Sequence, residues 1–141
     1  MTPKWTPDLS LGNAKIDNHH KELFHLVSML DNAIQLQNDR DKVDQIIRFL
    51  EDYVVTHFKE EEDVMKTHHF DGLIHHHQEH EIFYSRVQDL RQAYNDQATT
   101  PTLVYTIRKL VDKLVTHIQT VDIKMASLYQ GTEHEKSSHV V

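Results

Sequence analysis

The chain has 141 residues, 38% of them hydrophobic and 26% charged, with a formal charge of −7 when histidine is counted neutral. One domain of this length buries roughly 68 to 70% of the surface its unfolded form exposes; its acidity and lack of a Lys/Arg cluster give no footing for nucleic acid, and its lack of cysteine removes disulfides, thiolate sites and iron–sulfur clusters together. Met1 to Ser10 carries no apolar leader core and no run of about 18 apolar residues occurs anywhere, so neither export nor a membrane span is expected and a cytoplasmic protein is.

Met1 to about Asp17 holds two prolines, Gly12 and the only tryptophan, Trp5, and has no helical period, which predicts an extended arm anchored by Trp5 and by Leu9 or Leu11. From about Asn18 to Leu36 the positions Leu23, Phe24, Val27, Leu30 and Ile34 repeat at threes and fours, with His20 one turn before Phe24 on the same stripe. Asn38 to Asp41 forms the connection and supplies an Asp N-cap. A second helix runs from about Lys42 to Met65 through Val43, Ile46, Ile47, Leu50 and Val54, and its stripe arrives at His57 and Glu61. Thr67 to Gly72 is a turn. The third helix reaches about Tyr94 through Phe83, Val87 and Leu90, and of the adjacent His75, His76 and His77 only His76 lies on the stripe, with His80 one turn on. After the polar loop Asn95 to Thr100, Thr100-Pro101 reads as N-cap and first helical residue. The fourth helix then follows Leu103, Ile107, Leu110, Leu114, His117, Val121, Met125 and Leu128, stopping at Gly131.

Only three Gly and three Pro interrupt the chain. The expected fold is all-α, an up-down-up-down antiparallel four-helix bundle with an extended N-terminal arm, because short connections place consecutive helices side by side and antiparallel. The expected division is residues 1–131 as the domain and 132–141 as a polar tail.

Thirteen histidines in 141 residues is a large number, and their placement is what carries meaning. Residues four apart on a helix are about 400° apart, so His57 with Glu61, and His76 with His80, each project from nearly one face. An inward Glu without a partner is costly, and a bound cation removes that cost. With His20, His117 and Asp122, five imidazoles and two carboxylates come from four helices, more donors than the four of a closed zinc site and suited to two six-coordinate ions. Glu61 and Asp122 are the natural bridges, since a carboxylate has two oxygens and an imidazole nitrogen reaches one metal. His19, His25, His68, His69, His75, His77, His134 and His139 are read as surface groups. His117 and Asp122 are about 500° apart on an ideal helix, so one π-type turn is expected between them to swing Asp122 inward.

Two ferrous ions carry more positive charge than two carboxylates and a hydroxide remove, so such a histidine-rich centre suits reversible binding better than high-valent oxygen activation. The residues Gly12, Ile16 to Lys21, Leu23-Phe24, His57 to Glu62, Met65, His76 to His80 with Phe83, His117-Ile118 and Asp122 resemble the hemerythrins, most closely the single-domain bacterial ones, over nearly the whole chain. The resemblance implies two Fe ions per chain, bridged by Glu61, Asp122 and an oxo or hydroxo group. His76, His80 and His117 would hold one iron and His20 and His57 the other, where dioxygen would bind beneath Leu114. It implies a protein that stores, carries or delivers oxygen and is not an enzyme. The alternatives are a di-iron enzyme or sensor acting on peroxide, nitric oxide or ferrous iron. Three positions depart from the pattern: His19 where Gln is usual, Asp71 where Pro is frequent, and Lys113 where an aromatic often stands, a change expected to let water toward the oxygen pocket.

Overall fold

The computed structural model describes residues 4–30 and 39–126. Four helical rods pack into the expected bundle, with no strand among the described residues. The first rod is α1, Ala14–Leu30; the second is α2, Arg40–Asp52, a π turn, Tyr53–His57, and α3, Phe58–Thr67; the third is α4, Leu73–Asn95; the fourth is α5, Thr100–Thr120, continued by a 3-10 turn, Asp122–Met125. The expected end of the first helix at Leu36, the stop at Gly131 and the tail 132–141 lie outside the described residues.

Local chemistry explains the boundaries. α1 starts four residues before the expected Asn18, because Asn13 Oδ1 accepts the Ile16 amide at 3.0 Å and caps the first turn. Asp39 caps α2 through the Lys42 amide at 2.9 Å. At the fourth rod the cap is Thr99, one residue before the expected Thr100, its hydroxyl accepting from the Thr102 amide at 3.3 Å.

α3 and α4 both end in Schellman motifs that use no glycine. Phe70 N donates to Met65 O at 2.9 Å with His69 at φ 52°, and Ala98 N donates to Ala93 O at 3.0 Å with Gln97 at φ 68°. Left-handed backbone at a residue with a Cβ costs about 1–2 kcal/mol. At the second motif Arg40 clamps the turn, donating to Tyr94 O at 2.6 Å and Ala98 O at 3.0 Å. Gly72 fits closely for another reason: a Cβ there would meet the Phe70 ring, which would have to shift.

The arm is anchored as expected, but not fully extended, since Pro7–Leu9 forms a 3-10 turn. Leu11 is fully buried, while Trp5 and Leu9 pack partly buried against the main core. Asp17 ties the arm to α1, accepting from Ser10 Oγ at 2.5 Å and the Leu11 amide at 2.9 Å.

The apolar interior is divided in two. A large core is built from α1, α2, α4 and α5 around Leu23, Ile47, Leu50, Leu90 and Ile107. A small apolar cap, Leu11, Ile16, Met65 and Met125, closes one end of the bundle. On every rod a polar residue lies between its contributions to the two: His20 between Ile16 and Leu23, Glu61 between Phe58 and Met65, His76 and His80 between Leu73 and Phe83, Asp122 between Ile118 and Met125. The four rods therefore deliver a single polar layer at one height.

Candidate metal centre

That layer contains seven titratable side chains, His20, His57, Glu61, His76, His80, His117 and Asp122, none more than 4% exposed. Isolated charges are not buried this way without a partner of opposite sign. They fall into two groups whose ligand-capable atoms lie within 4.8 Å of one another: His76, His80, His117 and Asp122; and His20, His57, Glu61 and Asp122. Asp122 is common to both. Glu61 also spans them, with Oε2 at 3.7 and 3.6 Å from His20 and His57 Nε2, and Oε1 at 3.4 Å from His80 Nε2.

The way these atoms meet points to a cation. Asp122 Oδ1 stands 2.9 Å from Nε2 of both His76 and His117, and Oδ2 3.3 Å from His20 Nε2. Yet neither Asp122 oxygen, neither Glu61 oxygen nor His80 Nε2 has a partner in hydrogen-bond geometry among the described residues. Imidazole nitrogens also face each other, His57 and His20 Nε2 at 3.0 Å, His117 and His76 Nε2 at 3.3 Å. Lone pairs thus converge on shared space rather than on one another, the arrangement that metal ions satisfy. The donor set, imidazole and carboxylate without sulfur, suits iron.

Carboxylates and imidazoles in the layer shift one another's titration in opposite directions. Burial raises the pKa of both carboxylates, but neighbouring imidazoles outweigh it and hold both well below the usual range. Burial lowers the pKa of His20, and the close carboxylates of Asp122 and Glu61 reverse this, pushing it up to about 9. The Tyr53 phenol is pushed well above its ordinary value by burial and then by Glu61 and Asp122, so it stays neutral beside the layer.

Aromatic rings brace the imidazoles. Phe58 stacks on His80 with centroids 3.7 Å apart and planes 2° from parallel, and Tyr53 stacks on His57 at 4.5 Å and 27°. Both braces depend on the π turn, whose wider i→i+5 geometry lets the adjacent His57 and Phe58 both face inward. The π turn was expected in the fourth helix and stands in the second rod instead. Asp122 is brought inward by the opposite device: regular bonding ends at Val121 N to His117 O, 2.8 Å, and Asp122 opens a tighter 3-10 turn closed by Lys124 N to Val121 O, 3.1 Å. Ending the α-helix re-aims the side chain without adding a residue to a turn.

All seven sequence-derived candidates meet in the layer. His25, His68, His69 and His75 are exposed as expected, and His134 and His139 lie outside the described residues. His19 corrects the reading of a surface group: it is half-buried, and its Nδ1 meets His57 Nδ1 at 2.8 Å. His77 is exposed but bonds Glu62, whose other oxygen accepts from His80 Nδ1 at 3.0 Å. No periodic signal marked His19 or Glu62, since each sits about 100° round its helix from a stripe residue, on a side whose neighbour only the packing reveals. Leu114 is buried in the main core, and Lys113 is exposed, lining a surface cavity of about 370 Å³ with Glu79, Phe83 and His117.

The family model described as the Hemerythrin HHE cation binding domain matches residues 11–129. Relatives include a bacteriohemerythrin of Clostridium acetobutylicum, 31% identical over 82% of this chain and 88% of its own length, and one of Methylococcus capsulatus, 31% identical over 75% and 79%. A bacteriohemerythrin of Pseudomonas paraeruginosa is 32% identical over 62% of this chain, a match spanning 56% of that relative. No solved structure matches.

Proposed function

Because this chain belongs to the hemerythrin family, we propose that the polar layer holds two iron ions and binds dioxygen reversibly for storage, transport or delivery. His76, His80 and His117 would hold one iron and His20 and His57 the other, with Glu61 and Asp122 shared between them. The observation carrying this reading is the pair of buried donor clusters joined by one common carboxylate and spanned by a second. Membership of the family supports non-haem iron binding; dioxygen as the ligand, the pair of ions and the assignment of each residue are our inference.

Bound as a pair, ferrous ions supply two electrons that dioxygen takes and returns. The protein's part is to hold donors still and keep water out. Near-total burial removes the layer from bulk solvent, while Phe58, Tyr53 and the Glu62 hydrogen bond to His80 fix ring orientations. Leu114, one turn before His117 and buried, would form the apolar lid of the oxygen pocket. Lys113 is exposed and lines, with Phe83 and His117, the surface cavity through which water would approach this side of the layer. We take residues 1–131 as the unit that performs this function.

Iron quantitation and an absorption spectrum through cycles of oxygenation test the reading. About two irons per chain are expected, with the ferrous spectrum regained each time oxygen is removed. One zinc per chain overturns the di-iron assignment. Progressive accumulation of ferric iron overturns the carrier assignment in favour of turnover.

A further inference from the structure

The two halves of the layer are backed differently. His80 directs Nε2 inward, 3.4 Å from Glu61 Oε1, which leaves Nδ1 to donate outward to the Glu62 carboxylate at 3.0 Å. Behind His117, the Glu79 carboxylate stands 3.8 Å from Nδ1, too far for a hydrogen bond. His57 likewise directs Nε2 inward, 3.0 Å from His20 Nε2, but its Nδ1 meets the imidazole of His19 at 2.8 Å. A ligating nitrogen carries no proton, so the proton of His57 sits on Nδ1, and His19 must accept it with a bare Nδ1 and its own proton on Nε2. Nδ1 of His20, like Nδ1 of His117, makes no hydrogen bond among the described residues. One half therefore has a carboxylate hydrogen-bonded behind one of its rings, and the other a neutral imidazole in the same place.

The acceptor behind a ligating imidazole sets its basicity: a carboxylate draws the N–H proton outward and leaves the inner nitrogen a stronger donor, whereas a neutral imidazole does so less. We propose that Glu62 and His19 are positioning residues that make the two metal positions unequal, Glu62 strengthening the His76/His80/His117 position and His19 leaving the His20/His57 position as the weaker one, filled second and more readily kept ferrous. This rests on the two-ion reading above. It assigns a role to two residues that touch no metal.

The probe is Co²⁺ alone, titrated into the iron-free full-length chain and followed by its d–d absorption, with the reduction potentials of the iron-loaded chain measured in parallel. The unaltered protein should take two equivalents in two resolved steps. Glu62→Ala should weaken the first step by about 10- to 100-fold and His19→Leu the second by a similar factor, each leaving the other step nearly unchanged. His19→Gln, which retains an acceptor, should restore most of the loss. His19→Glu, which installs a carboxylate, should strengthen the second step, draw the two steps together and lower the potential of the second iron. A purely structural role predicts loss from every substitution at position 19, so a weakened second step in His19→Glu overturns the proposal even if His19→Leu fails to fold. Equal weakening of both steps by either variant, or none, also overturns it. A single equivalent bound by the unaltered chain would instead overturn the two-ion reading.

Discussion

The large apolar core and the polar layer occupy the same four rods and obey opposite rules. In the core, Ile47, Leu50, Leu90, Leu103 and Ile107 share one task with many neighbours, and the loss of any one leaves a cavity that the others surround. In the layer no side chain stands in for another: each provides its own donor atom, and Asp122 belongs to both donor groups at once. Redundant packing sets how stable the bundle is, whereas irreplaceable donors set whether it holds metal.

Substitution at the shared carboxylate should show the contrast most strongly. Asp122→Ala is expected to abolish binding of both irons, and Glu61→Ala to remove most of the second equivalent, while His25→Ala, at an exposed site, leaves about two irons per chain; metal analysis after purification checks all three. Equal losses would show that the layer is not the binding site. Leu50→Ala, at a fully buried core position, should instead cost about 2–5 kcal/mol in denaturant unfolding with iron content unchanged. If it lost iron in proportion, the two regions would not be separable.

The pH responses of the iron-loaded and iron-free chains should run in opposite directions. Iron should leave as pH falls through about 6 to 4, because each released imidazole takes up a proton. In the iron-free chain, His20 is raised from 6.5 to about 9. A raised folded-state pKa contributes stability that is complete below the unfolded value and lost as pH rises through the folded one. Glu61 and Asp122, both depressed, contribute stability present above their ordinary range and lost in acid. Thermal melts of the iron-free chain should therefore weaken between about pH 6.5 and 9, whereas the iron-loaded chain, with a cation where that proton would be, should hold. A flat melting temperature across that window would show that His20 is not paired with the carboxylates.

The smallest effect is expected outside both regions. Gln97 occupies left-handed backbone at φ 68°, so Gln97→Gly should stabilise the protein by roughly 1 kcal/mol by relieving its Cβ, with no change in iron content. Unchanged or reduced stability would mean that the Arg40 clamp already offsets the strain.

Much of this architecture could be read from one chain of letters because helical periodicity is a local property. The stripes through Leu23, Leu50, Phe83 and Leu110 placed four helices, and the same 3.6-residue count put His20, Glu61, His76, His80 and His117 on the inward face. Four-residue pairs need no knowledge of neighbours, since both members leave the helix in one direction. Deviations from the ideal helix were another matter. Both a π turn at Tyr53–His57 and the 3-10 turn at Asp122–Met125 re-aim side chains toward the layer; the sequence pointed to an irregularity before Asp122 but to the wrong kind, and gave no sign of the one in the second rod, because a register change is chosen by what the opposing helices demand. Outer-layer partners were equally hidden: whether His19 meets solvent or His57 depends on how α1 sits against the second rod, 38 residues further on. Position along a helix is fixed by local backbone geometry, but the atom that stands opposite is fixed by packing, and only the assembled bundle decides it.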